Sequence, residues 1–141
     1  MCCVSDPKVY QILEAQVAWV NEVLHPRHFF MQHDEIRAMN WDEACQRRKL
    51  TPGQLLADNV RQCVLIIKKV NPKARIWVWS DMFDPTSNAK PGYYLVNGTL
   101  AGSWEGLPKE VGIVNWSGEL LGGNCQWFAD RGHEQILAVL D

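Results

Sequence analysis

The sequence predicts an α/β protein with about four parallel core strands in one domain spanning residues 1–141. Short apolar segments alternate with segments of helical periodicity, which is typical of strand–helix units around a parallel sheet. The strand-like segments are continuous apolar runs without polar alternation, and this indicates a sheet covered on both faces.

Two helices have clear starting signals. The first is predicted from Asp6 as N-cap and Pro7 at the first helical position, and it ends before Pro26. The best-marked helix begins at residues 51–54, Thr-Pro-Gly-Gln, which combine a cap, a proline and a glutamine in a capping box, and it closes at Asn71.

Two shorter helices are also expected. Asn40 is predicted to cap one of them, because Glu43 follows three residues later. The other covers residues 125–131 and is closed by Gly132.

Four strands are expected between these helices, at residues 28–32, 75–80, 111–116 and 135–140. We interpret the first as a buried strand with a charged end. Residues 93–101 predict a small inserted hairpin around an Asn-Gly turn.

Polar and aromatic residues collect at the carboxyl ends of these strands. They are His33, Asp34 and Glu35, then Ser80 and Asp81, then Asn115 and Trp116, and finally Asp141. Ligands of parallel α/β sheets bind outside the carboxyl ends of the strands, so this edge predicts the functional site.

The order of the strands and of their polar ends resembles the later part of the barrel in β-hexosaminidase-type (family twenty) glycoside hydrolases and their uncharacterised relatives. The polar ends are His33-Asp34-Glu35, then Trp79-Ser80-Asp81, then Asn115-Trp116. The resemblance spans roughly residues 5 to 141 and implies the C-terminal half of a TIM-type (β/α)8 barrel. It also implies that Glu35 is the general acid and that Asp34 orients the acetamido group of the substrate. A complete barrel needs about 250 residues, so we expect either a longer protein or a homodimer that completes the barrel.

Glycoside cleavage requires an acid for the leaving oxygen and a second group that stabilises the sugar cation. Glu35, Asp34 and Asp81 are the candidate catalytic carboxyl groups. Candidate carbohydrate-binding residues are His33, Arg37, Trp79, Tyr94, Trp104, Asn115 and Trp116. Tryptophan faces can stack on sugar rings, and burial among them would raise the pKa of an acid.

Three alternatives remain open at this stage. Asp34 could pair with Arg37 while Glu35 is a solvated loop residue. The same tryptophans could serve a carbohydrate-binding or assembly half-barrel without catalysis. His33 beside carboxylates could bind a metal, but the other histidines fall at the wrong ends of their elements, so neither metal nor cofactor is expected.

Composition excludes several other classes. A net charge of -2 and a pI near 6.1 give no basis for nucleic-acid binding. No apolar run is long enough for a membrane span and the start lacks a signal peptide, so a soluble, cytoplasmic chain is expected. Five cysteines without a CxxC pair are interpreted as reduced, mostly structural thiols.

Overall fold

The computed structural model describes residues 2–116 and 121–138, and the predicted strand end at Asp141 lies outside this range. The helices are α1 (Pro7–Leu24), α2 (Glu43–Arg47), α3 (Pro52–Val70) and α4 (Leu121–Asp130). The strands are β1 (His28–Phe30), β2 (Ala38–Met39), β3 (Arg75–Trp79), β4 (Leu95–Val96), β5 (Val111–Asn115) and β6 (Gln135–Leu137). Two 3-10 turns lie at Asp81–Phe83 and Ser103–Gly106.

Four strands form the central sheet in the order β1-β3-β5-β6, and every neighbouring pair is parallel. The predicted α/β class and its four parallel strands are therefore confirmed. The spatial order of the strands follows the chain order, and α3 and α4 both contribute to one apolar cluster with the sheet, which is compatible with part of a β/α barrel. Within the described residues the sheet stays open, with β1 and β6 at its edges.

One face of the sheet packs against α3. The predicted capping box is present, because the Thr51 hydroxyl accepts from the Gln54 N–H and the Gln54 side chain accepts from the Thr51 N–H. The buried face of α3 contacts Ile76 and Val78 of β3 and Ile113 of β5 in one apolar cluster. This helix–sheet layer is the core of the protein.

The opposite face of the sheet follows from strand alternation. It carries Phe30, Trp77, Trp79, Val114, Trp116 and Ile136. Phe30 and Ile136, on the two edge strands, are 43% and 48% exposed. The predictions that β1 is buried and that both faces are covered are therefore wrong for the edge strands, because an edge strand has a neighbour on one side only.

The pairing predicted for residues 93–101 is wrong. The β4 strand pairs in parallel with β2, and the antiparallel return of the expected hairpin is reduced to one bridge between Pro91 and Thr99. The two short strands form a separate sheet beside the main one.

Asn40 does not cap α2, because its side chain is used in this small sheet. Its Nδ2 donates to the carbonyl of Asn97 at 3.2 Å, and its own carbonyl accepts from Nδ2 of Asn97 at 2.9 Å. The cap is instead Asp42, whose Oδ1 accepts from the N–H of Cys45 at 3.0 Å.

In the part of the chain that the structure describes, no helix combines the length and apolar character that crossing a membrane requires.

Candidate functional site

A sharp bend follows β1 and shapes the candidate site. Gln32, His33 and Glu35 have φ angles of 63°, 58° and 38°, which lie in the left-handed region that residues other than glycine seldom adopt. Neighbouring residues of a regular strand point to opposite faces, whereas this bend lets Asp34 and Glu35 line the same pocket. Residues in such strained conformations cluster at functional sites.

The pocket has a volume of about 340 Å³ and is lined by Asp34, Glu35, Trp79, Trp116 and Ala138. These residues follow or end the strands β1, β3, β5 and β6 at their carboxyl ends. The structure therefore brings two predicted carboxylates and two predicted tryptophans together at the predicted edge of the sheet.

The two tryptophans form an aromatic wall on the open face. The ring centroids of Trp79 and Trp116 are 6.5 Å apart at an interplanar angle of 74°. Phe30 packs edge-on against Trp79 at 4.9 Å. Because both tryptophans are only half-buried, part of their apolar surface remains available to a ligand.

Asp81 is fully buried beside this pocket. Its Oδ2 accepts a hydrogen bond from Nδ2 of Asn88 at 2.8 Å and a longer one from the backbone N–H of Glu35 at 3.4 Å. Burial raises the pKa of Asp81 above its ordinary value, partly offset by the indole N–H of Trp116, while the charge of Asp34 adds to the rise. Asp81 therefore fixes the loop that carries Glu35.

Two buried polar atoms next to the pocket belong to interacting side chains but form no well-aligned hydrogen bond among the described residues. They are Oδ1 of Asp81 and Nε1 of Trp116, and both are buried.

Glu35 forms an ion pair with Arg37, and both side chains are largely exposed. The guanidinium of Arg37 also lies over the ring of Tyr94, 5.2 Å from its centroid. The alternative that paired Arg37 with Asp34 is therefore wrong about the partner, but its expectation that Glu35 is an exposed loop residue is confirmed. Arg37 lies at the rim of the site through its contact with Glu35, and Tyr94 is connected to the rim through Arg37.

His33 belongs to a different network. Its Nε2 lies 2.9 Å from Oδ1 of Asn59, whose Nδ2 donates to the hydroxyl of Tyr10 at 3.2 Å, and that hydroxyl donates to the carbonyl of Val4 at 2.7 Å. Burial lowers the pKa of His33, which favours a neutral ring. The side chain is turned toward α3 and does not line the carboxylate pocket.

Asn115 and Trp104 also lie outside the pocket lining. Asn115 is buried and donates to Oε1 of Gln135 at 2.6 Å. Trp104 packs edge-on against Trp127, with 5.6 Å between ring centroids, in the 3-10 turn that contacts α3. Both residues support the helix-covered side of the sheet.

Sequence reasoning missed a second cluster of reactive side chains. The sulfur atoms of Cys3 and Cys45 and a carboxylate oxygen of Asp42 lie within 4.8 Å of one another. Among the residues that the structure describes, these three side chains are close enough together to bind a metal ion. The two cysteines are 42 positions apart and form no CxxC pair, so spacing gave no signal. The fold alone brings them together.

Fold and site together define a mixed α/β protein with an open parallel sheet and a carboxylate–tryptophan pocket at the carboxyl ends of its strands. No protein-family model matches the chain, and no curated protein matches it.

Proposed function

We propose that the pocket binds a carbohydrate and that the protein is a glycoside hydrolase-like domain acting through carboxylate general acid/base chemistry. One observation carries this proposal: Asp34 and Glu35 share a pocket with half-buried Trp79 and Trp116. Sugar rings have apolar faces that stack on indole rings and hydroxyl groups that donate to carboxylates. The pocket offers both kinds of contact within one small volume.

Each carboxyl group has a proposed role. Glu35 protonates the leaving oxygen and Asp34 orients the substrate, since both line the pocket. Asp81 contributes by holding the Glu35 backbone through its Oδ2. A general acid must carry a proton when it acts, so the ion pair between Glu35 and Arg37 has to open when the substrate binds.

The second candidate is a carbohydrate-binding module without catalysis, and the Glu35–Arg37 ion pair favours it. A carboxylate held by a guanidinium accepts hydrogen bonds from sugar hydroxyls but does not donate a proton. In this case, Arg37 stays in place in the sugar complex.

We also propose that a second copy of the chain completes the barrel, because β1 and β6 are open sheet edges in the described structure. Unpaired strand edges favour association. Light scattering should then give the mass of a dimer, and a monomer over a wide concentration range would contradict this arrangement.

The test of catalysis is a screen of chromogenic glycosides with the wild-type chain, Glu35→Gln and Asp34→Asn. We expect Glu35→Gln to lose about 100-fold or more in kcat, the scale of general acid catalysis, with an unchanged melting temperature. Glu110→Gln is the matched control, since Glu110 is exposed and does not line the pocket.

Sugar binding is measured on the same proteins by tryptophan fluorescence. Loss of turnover in Glu35→Gln with retained binding supports the hydrolase. Binding without turnover in the wild type supports the module, and wild-type activity in Glu35→Gln would remove Glu35 from the mechanism.

A further inference from the structure

The thiols of Cys3 and Cys45 meet at the surface beside the second sheet. Their Sγ atoms are 3.7 Å apart, and Sγ of Cys3 donates to Oδ1 of Asp42 at 2.9 Å. Cys45 is buried on α2, Cys3 is partly buried, and Asp42 is exposed. The cluster therefore combines two soft ligands with one carboxylate and is open to solvent on the side of Asp42.

The two cysteines are free thiols, and the spacing of their sulfur atoms is compatible with binding to one metal ion. Two thiolates on a tetrahedral Zn²⁺, each about 2.3 Å from the ion, are about 3.8 Å apart. A disulfide requires about 2.05 Å between the sulfur atoms. The observed 3.7 Å separation of the Cys3 and Cys45 sulfur atoms is that of two thiols in contact, and it lets both sulfur atoms bind one tetrahedral ion with little movement.

The surroundings of the three side chains are also suitable. The hydroxyl of Ser5 donates to Sγ of Cys45 at 3.2 Å, as outer hydrogen bonds to metal-bound thiolates do. Asp42 uses Oδ1 for its contacts with Cys3 and with the N–H of Cys45. Its Oδ2 has no hydrogen bond among the described residues and can bind a cation without breaking the helix cap.

We propose that Cys3, Cys45 and Asp42 bind a thiophilic divalent cation of the Zn²⁺ class, with water at the fourth position. Binding replaces the two thiol protons by bonds to the metal, so that two protons are released for each ion bound. The metal fastens the segment before α1 to the start of α2. This site is independent of the carboxylate pocket and of the function proposed for it.

The test is a titration of the purified chain with Co²⁺ alone, in a phosphine reductant that keeps the thiols reduced. We expect one equivalent of Co²⁺ to give a thiolate-to-metal absorption band and tetrahedral visible bands, which Zn²⁺ then displaces. Changes to residues outside the ligand shell already weaken metal binding by about 10-fold to 100-fold. We therefore expect Asp42→Asn to weaken Co²⁺ binding by about 10-fold to 100-fold, and the loss of a thiolate ligand in Cys3→Ser or Cys45→Ser to weaken it by more than about 100-fold.

Cys63→Ser is the matched control, since Cys63 lines the same cavity as the three proposed ligands but lies outside their cluster. It should bind Co²⁺ like the wild type. Circular dichroism of each metal-free variant checks its fold, and Ser5→Ala provides a milder change that should weaken binding about 10-fold.

Absence of the thiolate band in the wild type overturns the proposal, and so does a band that forms in Cys3→Ser or Cys45→Ser with the affinity of the wild type. A melting temperature that rises with Zn²⁺ in the wild type and Cys63→Ser, but not in Cys3→Ser, supports it.

Discussion

The two faces of the central sheet have different surroundings, although the same strands supply both. Ile113 faces α3 and is fully buried, whereas Ile136 on the neighbouring strand faces the open side and is 48% exposed. The covered face holds the apolar core, and the open face leads to the tryptophans and carboxylates of the pocket. Stability and candidate function are thus separated onto opposite sides of one four-stranded sheet.

The largest expected effect comes from matched truncations on the two faces. Ile113→Ala removes a fully buried side chain and should lower the free energy of unfolding by about 2–5 kcal/mol. Ile136→Ala removes a half-exposed side chain and should cost less than about 1 kcal/mol. Urea denaturation measures both, and equal losses would mean that the open face is covered in solution.

A smaller effect is expected on the open face, where Gly112 of β5 pairs with Trp77 of β3. A Cβ added at Gly112 would lie 2.2 Å from the ring of Trp77, so Gly112→Ala forces that indole to move. Overpacking of this kind costs about 1–3 kcal/mol.

The control for this change is Gly123→Ala in α4, where an added Cβ meets nothing within 4 Å. It should stabilise the protein by about 0.5–1 kcal/mol, the advantage of alanine over glycine in a helix. If Gly112→Ala has the same melting temperature as the wild type, the close contact between Gly112 and Trp77 is contradicted.

The smallest effect concerns Asp81 at the edge of the pocket. Burial raises its pKa in the folded state, so the folded protein binds this proton more tightly than the unfolded chain does. That contribution to stability is present at low pH and is lost as the pH rises through the raised pKa. Asp81→Asn keeps the acceptor oxygen and removes the buried charge.

We expect Asp81→Asn to be more stable than the wild type near pH 7, by on the order of 1 kcal/mol. The advantage should shrink as the pH is lowered toward about 4, the ordinary pKa range of aspartate. Melting temperatures across this range measure the difference. A variant that is less stable than the wild type at every pH would show that the hydrogen bonds of the Asp81 carboxylate outweigh the cost of burying it.

Local signals predicted the parts of the fold that local chemistry determines. The capping residues Asp6 and Thr51 marked the starts of α1 and α3, and uninterrupted apolar runs marked β3 and β5. A capping side chain forms hydrogen bonds with backbone N–H groups two or three residues away, so a helix start can be predicted from a short stretch of sequence.

Contacts between segments that are far apart in the sequence could not be predicted from such local patterns. Leu95–Val96 has a hairpin-like sequence, yet its partner is Ala38–Met39. The cluster of Cys3 and Cys45 depends on the path of α1 and on the loop before α2, and no spacing rule describes either. Long-range pairing is decided by tertiary packing, which overrides local turn preference.

The candidate pocket was predicted in part. The carboxyl ends of the strands predicted Asp34, Glu35, Trp79 and Trp116 at one edge, because parallel strands end on the same side of a sheet. Strand-end position does not reveal which way a side chain turns. His33 therefore lies in a network with Asn59 instead of in the pocket.

The all-parallel sheet also affects how the chain reaches its native state. Each strand pairing closes a long loop, since His28 pairs with Arg75, Ile76 with Val111 and Ile113 with Gln135. The entropy of loop closure is lost before these contacts contribute stability, so a high contact order slows folding. The strands that end at the pocket are therefore expected to pair slowly, because their contacts join distant parts of the chain. Until the sheet is assembled, its unpaired strand edges can associate with other chains and aggregate.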